Sequence, residues 1–259
     1  MILFLTLLAC GDKSNDTAST GEPSTEDTST TEDTSTSDTN TDTDSVSGPL
    51  RPFCKMLTSL GEYNGEQVFD ITYTWEGLRQ SDGNNWTDYN EYGMPLESYS
   101  IDEYGWETRS TMTYECDRWC KTLTSHTVQG TMGEDPTLDV ATTYVWDGNT
   151  QSTEDGNRYW TYNDMGYVTE FYDSGDGWSN RTTTEYACND TWCQTLSYVT
   201  VTSIDGLNPT ESSQTYQWTG NTQTWDVGSS SYNEFGYLLE TETSESLSQS
   251  WYQYTYNCL

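Results

Sequence analysis

Apolar and polar positions alternate along much of the chain from residue 50 onward, and many of the apolar positions are aromatic. Three similar stretches show the pattern, each with Tyr-x-Trp followed by a two-residue turn that ends in Gly: residues 71–81 (ITYTWEGLRQS), 142–152 (TTYVWDGNTQS) and 214–224 (QTYQWTGNTQT). A period of two places the Tyr and the Trp on one face of a β-strand. A turn such as Asp-Gly between two such stretches favours a tight β-hairpin. The pattern therefore predicts short strands joined by tight turns.

Two further sets of similar stretches extend this repetition. The first set is YNEYG (89–93), YNDMG (162–166) and YNEFG (232–236), in which the Asn and the Gly are typical of a bulged hairpin turn. The second set contains cysteines on both sides of a turn, in TYECDRWCKTLTS (113–125) and EYACNDTWCQTLS (185–197). Its two halves recur separately as FCKMLTS (53–59) and YTYNC (254–258). We therefore divide residues 54–116, 120–188 and 193–258 into three repeats of about 70 residues.

These repeats predict a single all-β domain over residues 50–259. We expect an antiparallel meander stapled by disulfides and closed into a barrel-like or propeller-like ring, because closure removes exposed sheet edges. A pseudo-threefold β-trefoil or prism-like fold and an open coiled sheet are the alternatives.

The six cysteines of this domain allow two pairing schemes. Residues opposite each other in an antiparallel pair are close enough for a disulfide, so the cysteines that flank each turn can bond, which leaves the first and the last cysteine for each other. The pairs of this scheme are Cys116–Cys120, Cys188–Cys193 and Cys54–Cys258. The second scheme closes each repeat on itself, as Cys54–Cys116, Cys120–Cys188 and Cys193–Cys258. We expect the first scheme, which would join the two ends of the sheet.

The Tyr-Asn-x-x-Gly stretches resemble the YD repeat of Rhs-type proteins, in which Tyr-Asp-x-x-Gly recurs along β-hairpins. The resemblance covers these hairpins only, and the positions after the Gly are Met94, Tyr167 and Tyr237 where that family usually has Arg. It implies a meandering antiparallel architecture, and it does not imply toxin delivery.

The N-terminal residues predict a secreted and lipid-anchored protein. The apolar run MILFLTLLAC is too short to span a bilayer but has the length of a signal-peptide core. Its end, Leu7 to Cys10, resembles the lipobox of bacterial lipoproteins. The resemblance implies a signal peptide over residues 1–9, acylation of Cys10, and a place in the cell envelope. Gly11 follows the cysteine instead of an inner-membrane retention Asp, which favours the outer membrane. Residues 10–49 are rich in Ser, Thr and Asp, a composition that predicts a disordered acidic tether.

Charge and motifs narrow the function. The formal net charge of -33 would repel nucleic acids, so we expect none as a partner. The sequence has one His and no P-loop, dinucleotide fingerprint or zinc-protease motif. We therefore expect no cofactor, no metal and no enzymatic activity, with a carboxylate-based hydrolase as a lesser alternative.

Twenty Tyr and eleven Trp instead favour a binding or adhesion module for a glycan or a protein, because exposed aromatic rings stack on such partners. The candidate ligand-binding residues are Trp86, Trp106 and Trp178. A structural or spacer lipoprotein without a specific ligand is the alternative.

Overall fold

A computed structural model of the protein describes residues 51–204, 207–245 and 248–258. These residues form 20 β-strands and no helix, which confirms the predicted all-β class. Nothing within the described ranges is a helix able to cross a membrane. The predicted signal peptide, Cys10 and the tether lie outside the described residues.

The first repeat contributes seven strands, most of them short. They are β1 (Cys54–Tyr63), β2 (Glu66–Thr72), β3 (Thr74–Glu76), β4 (Arg79–Ser81), β5 (Trp86–Tyr89), β6 (Pro95–Ile101) and β7 (Trp106–Cys116).

The second repeat contributes six strands, because one long strand replaces the pair equivalent to β2 and β3. They are β8 (Cys120–Thr131), β9 (Leu138–Asp147), β10 (Thr150–Thr153), β11 (Arg158–Tyr162), β12 (Val168–Gly175) and β13 (Trp178–Cys188).

The third repeat again contributes seven strands. They are β14 (Cys193–Ile204), β15 (Leu207–Thr215), β16 (Gln217–Thr219), β17 (Thr222–Trp225), β18 (Gly228–Tyr232), β19 (Leu238–Glu245) and β20 (Ser248–Cys258).

The strands form a 7-stranded sheet, β16-β17-β18-β19-β20-β1-β2, and a 13-stranded sheet that runs from β15 back to β3 in reverse chain order. Within the larger sheet, residues 138–143 of β9 pair with β8 and residues 144–147 pair with β10. The larger sheet is thus two seven-stranded segments that share β9. All pairings are antiparallel, as the meander predicts.

The tyrosine of each Tyr-x-Trp stretch marks the passage from one segment to the next. Tyr73 alone separates β2 from β3, and Tyr216 alone separates β15 from β16. Their amides donate to the carbonyl oxygens of Leu57 and Leu196, each at 2.8 Å, so the backbone stays hydrogen-bonded where the strand is interrupted. The equivalent Tyr144 lies inside the continuous β9.

The first strand pairs with the last, with Cys54 opposite Cys258. Disulfides join Cys54 to Cys258, Cys116 to Cys120 and Cys188 to Cys193, which are the pairs of the first scheme. Within the described residues neither sheet closes on itself into a barrel, so the closed ring stays a prediction.

Few side chains are fully removed from water in this fold. Among the described residues, the buried apolar side chains are Cys54, Cys120, Trp192, Cys193 and Tyr254. Hydroxyl pairs cross between neighbouring strands instead: Ser110 with Thr127, Thr182 with Thr200, and Ser230 with Thr241, at 3.1, 2.9 and 2.8 Å. The domain is therefore held by backbone ladders, disulfides and aromatic contacts more than by an aliphatic core.

Candidate functional site

The repeated aromatic residues have structural contacts that account for their presence. In the second repeat, the Trp119 ring lies 5.8 Å from the Trp146 ring and 5.2 Å from the Tyr162 ring. The Trp146 indole donates to the carbonyl of Thr122 at 2.8 Å, and the Tyr162 hydroxyl donates to Gln151 at 2.7 Å. Phe53 and Trp192 have the same neighbours in their repeats. We call each such set a junction cluster, because it joins a disulfide hairpin to the strands that follow it.

The Tyr-Asn-x-x-Gly turns contact the disulfides beside these junction clusters. The Asn163 side-chain oxygen, Oδ1, accepts from the backbone amides of Met165 and Tyr167, both at 3.0 Å. The Asn163 side-chain nitrogen, Nδ2, faces the sulfurs of Cys188 and Cys193, both at 3.6 Å. Asn90 and Asn233 make the equivalent contacts. The Asn therefore closes its own turn and packs on the disulfide that ends its repeat.

A groove between β5–β7 of the first repeat and β8 with the loop that follows it is the best candidate for a binding site. It encloses about 530 Å³. Cross-strand pairing produces its floor, because Trp86 on β5 lies opposite Tyr99 on β6, and Tyr99 lies opposite Arg109 on β7. We call it the Trp86 groove, and its lining residues are Trp86, Tyr99, Glu107, Arg109, Val128, Gln129, Gly130, Thr131, Gly133, Glu134 and Pro136.

The loop of residues 132–137 between β8 and β9 supplies the second wall of the groove. A side chain at Gly130 would approach the Cα of Pro136 to 3.1 Å, so the absence of one lets the loop fold against the strand. The Thr137 amide donates to the carbonyl of Gln129 at 2.9 Å and fixes the return of the loop. Between β1 and β2 the equivalent connection is only Asn64 and Gly65, which leaves no such wall in that repeat.

Charged groups hold the aromatic floor in place. The Arg79 guanidinium lies 4.2 Å from the centre of the Trp86 ring, and two hydrogen bonds join it to Asp88. The bond from Arg79 lowers the pKa of Asp88. The Tyr99 hydroxyl donates to Glu107 at 2.9 Å, and this bond raises the pKa of Tyr99. These contacts orient both rings before any ligand arrives.

The structure separates the three tryptophans that the sequence singled out. Trp86 lines the groove. Trp106 is 40% exposed and Trp178 is 42% exposed, but neither lines it. Because side chains alternate along a strand, Trp106 points to the face opposite that of its neighbour Glu107, which does line the groove. A ligand in the groove would therefore contact one of the three candidates.

Sequence reasoning missed Tyr99, Arg109 and the loop wall. Comparison of the repeats could have indicated Tyr99 and Arg109, because the second repeat has Tyr172 and Arg181 at the equivalent positions. There Tyr159, the equivalent of Trp86, stacks on Tyr172 at 5.1 Å. The third repeat has Ser229, Glu242 and Trp251 at these positions. An aromatic pair followed by an arginine in two repeats but not in the third indicates a feature beyond the common fold.

The described ranges contain no group of His, Cys, Asp and Glu side chains that could hold a metal ion. His126 pairs with Asp139 at 2.6 Å on an exposed part of the surface. The groove carboxylate of Glu107 is already bonded to Tyr99. What the Trp86 groove offers a ligand is thus ring surface, one guanidinium, carboxylates and backbone groups.

Comparison with known proteins assigns this chain to no family. No protein-family profile and no curated protein sequence matches the chain. Among solved structures, a porin-like protein from Bacteroides vulgatus aligns with a TM-score of 0.38 and 11% identity, over 80% of this chain and 100% of that one. A porin-like protein from Bacteroides uniformis aligns with a TM-score of 0.29 and 13% identity, over 61% and 95%. At these TM-scores the likeness assigns neither fold nor function.

Proposed function

We propose that this protein is a lipid-anchored component of the bacterial cell envelope whose β domain binds carbohydrate in the Trp86 groove without catalysing a reaction. The observation that carries the proposal is the Trp86–Tyr99 ring pair, 6.1 Å between centroids, in a groove walled by the 132–137 loop. Ligand sites commonly enclose about 300–1,000 Å³ and combine aromatic walls with a few convergent polar groups. The groove has both properties.

The chemistry of the lining favours a sugar over a purely apolar ligand. Arg109, Glu107 and Glu134 supply hydrogen-bonding groups around the rings, and sugars present hydroxyls beside apolar ring faces. Arg109 is held by Glu97, to which its Nε donates at 2.6 Å, so it meets a ligand in a fixed orientation. Preorganised polar groups lower the entropy cost of binding.

The anchor and the location rest on the N-terminal sequence. Acylation of Cys10 would place the β domain at a membrane, with residues 11–49 as a spacer, and the outer membrane is the favoured site because Gly11 follows the cysteine. A domain held in this way can present its groove to glycans of the cell surface or its surroundings.

We also infer that the three seven-stranded segments complete a ring. Two observations support this arrangement. β1 pairs with β20, so the two chain ends lie in the same segment. Only Tyr73 separates β2 from β3, and only Tyr216 separates β15 from β16, so the chain passes directly from that segment to each of its neighbours. A ring would leave no long unpaired strand edge to promote aggregation.

The proposal predicts that Trp86→Ala weakens glycan binding. A glycan array probed with the full-length protein should show saturable binding, and the substitution should lower affinity about tenfold or more, because truncating an aromatic hot-spot residue costs roughly 2 kcal/mol or more. Titration of the strongest array ligand by calorimetry gives the dissociation constant.

Two matched variants sharpen this test. Trp178→Ala removes an equally large exposed ring outside the groove, and Tyr159→Ala removes the repeat-equivalent ring of the second repeat; both should retain binding. Equal loss in all three variants would refute the groove as the site. If no glycan on the array binds, and if the protein captures a surface protein that the Trp86→Ala variant does not capture, the ligand of the groove is a protein and not a glycan.

A further inference from the structure

The distribution of basic side chains points to a second site. The chain has nine Lys and Arg, and with Lys13 outside the described residues eight can be placed. Four arginines pair with carboxylates: Arg79 with Asp88, Arg109 with Glu97, Arg158 with Asp173, and Arg181 with Glu170. Lys55 and Lys121 donate to the carbonyls of Gly77 and Gly148. Of the arginines that the structure places, only Arg51 and Arg118 then form no ion pair with a carboxylate.

These two arginines line the same cavity. It encloses about 240 Å³, and residues of all three repeats or their flanking turns contribute to it. We call it the arginine pocket, and its lining residues are Arg51, Tyr92, Met94, Arg118, Trp119, Cys120, Thr122, Tyr162, Met165, Gly166, Tyr167 and Thr191. None of these residues is acidic, whereas the Trp86 groove contains Glu107 and Glu134.

The surrounding fold holds the Arg51 guanidinium and the backbone of Arg118 at this position. The Arg51 guanidinium donates to the carbonyl of Phe235 at 3.3 Å and lies 4.7 Å from the centre of the Tyr237 ring. Arg118 lies in the short turn between Cys116 and Cys120, whose disulfide restricts the backbone. The next residue, Trp119, is fixed in its junction cluster. The Arg118 side chain itself is exposed and forms no hydrogen bond within the described residues, so its guanidinium is available to a ligand.

We propose that the arginine pocket binds a small organic carboxylate. A guanidinium presents paired N–H donors that match the two oxygens of a carboxylate. The Met94, Met165, Tyr92 and Tyr167 side chains supply an apolar wall for the carbon part of such a ligand, and methionine adapts well to varied shapes. In a chain of net charge -33, two arginines that form no ion pair within the described residues can bind an anion that enters the pocket itself.

The net charge does not prevent this binding. Repulsion between the protein and an anion is screened beyond about 8 Å at physiological ionic strength, whereas contacts inside the pocket are short. Moderate salt should therefore favour entry by weakening the long-range repulsion.

Calorimetry on the full-length protein tests the proposal with three probes: 3-phenylpropanoate, its neutral amide, and inorganic phosphate. The carboxylate should bind, and the amide and phosphate should bind at least tenfold more weakly, because one lacks the charge and the other lacks the apolar part. Arg118→Gln should weaken carboxylate binding about tenfold, because it removes a charge-assisted hydrogen bond to the ligand. Arg118 is the residue to change because it makes no bond within the described structure that the fold depends on.

Arg181→Gln is the matched control, because it changes the net charge equally at an arginine that lines neither the pocket nor the Trp86 groove. Melting curves and circular dichroism should show both variants folded. An equal loss of carboxylate binding in Arg181→Gln would show that the effect comes from net charge alone and would overturn the proposal. Equal binding of the amide would overturn it as well, and so would the absence of carboxylate binding at millimolar concentration. Tight phosphate binding that Arg118→Gln abolishes would assign the pocket to inorganic anions instead.

Discussion

Tyrosine carries much of the interior chemistry at the scale of single residues, because the ring fills space and the hydroxyl still needs a partner. The Tyr114 hydroxyl donates to the carbonyl of Pro95 at 2.9 Å. Burial raises the pKa of Tyr114 to about 12, and burial likewise raises the pKa of Tyr162 to about 12. Both hydroxyls therefore stay protonated in the folded protein up to about pH 12.

This arrangement predicts a loss of stability at alkaline pH. An unfolded tyrosine ionises near pH 10, so between pH 10 and about 12 the unfolded state releases protons that the folded state keeps. The free energy of unfolding should be constant below pH 10 with respect to these groups and should fall as pH rises from 10 to 12. Melting temperatures measured across this window check the direction.

Tyr114→Phe should make that decline shallower, since the variant removes one late-ionising group. Tyr104→Phe is the control, because it removes a hydroxyl from a side chain that is 82% exposed. An unchanged pH profile in Tyr114→Phe would contradict the assignment.

At the scale of elements, the turns and strands could be predicted because they depend on local chemistry. The residues that they contact elsewhere in the fold depend on packing and could not be predicted. Asn-x-x-Gly and Tyr-x-Trp can be recognised within five residues, because turn geometry and strand alternation are local properties. That Asn163 would face a disulfide, or that Gly166 would meet Trp119 of the preceding hairpin, depends on how separate strands pack. No spacing along the chain encodes these contacts directly.

The Gly166 turn gives a prediction at this scale. Gly166 has a φ of +81°, and an added Cβ would lie 2.8 Å from the Trp119 ring. Gly166→Ala should therefore lower the free energy of unfolding by about 3 kcal/mol, combining backbone strain with overpacking. Denaturant titration followed by tryptophan fluorescence measures the change.

Gly148→Ala serves as the comparison, because Gly148 has a φ of +58° but nothing within 4 Å of its added Cβ. Only the backbone term applies there, so the loss should be about 1–2 kcal/mol. Equal losses in the two variants would show that the Trp119 contact contributes nothing.

At the scale of the whole domain, pairing of the incomplete end motifs could be predicted from the sequence, because FCKMLTS and YTYNC each lack the half that the other supplies. The two-sheet arrangement could not, since it depends on whether the strand is interrupted, as at Tyr73 and Tyr216, or continues, as in β9. The Trp86 groove escaped prediction for a similar reason: its second wall is a loop whose position follows from packing at Gly130.

The three disulfides should differ in their effect on stability. In the chain-entropy account, a bridge that spans 204 residues contributes roughly 5 kcal/mol, and one that spans 4 contributes about 2 kcal/mol. Cys54→Ser with Cys258→Ser should therefore lower the melting temperature more than Cys116→Ser with Cys120→Ser. Thermal unfolding of the two double variants, compared with the parent protein, measures the difference. A larger loss in the second pair would contradict the entropic ranking.

The bond between Cys54 and Cys258 also has a consequence for proteolysis. Because it makes residues 54–258 a covalent loop, one cut anywhere between them, including the exposed 132–137 segment, yields a nicked molecule and releases no fragment. Two cuts, or one cut and a reductant, are needed before any part of the domain can diffuse away. A single proteolytic cut within this loop would thus leave the domain in one piece.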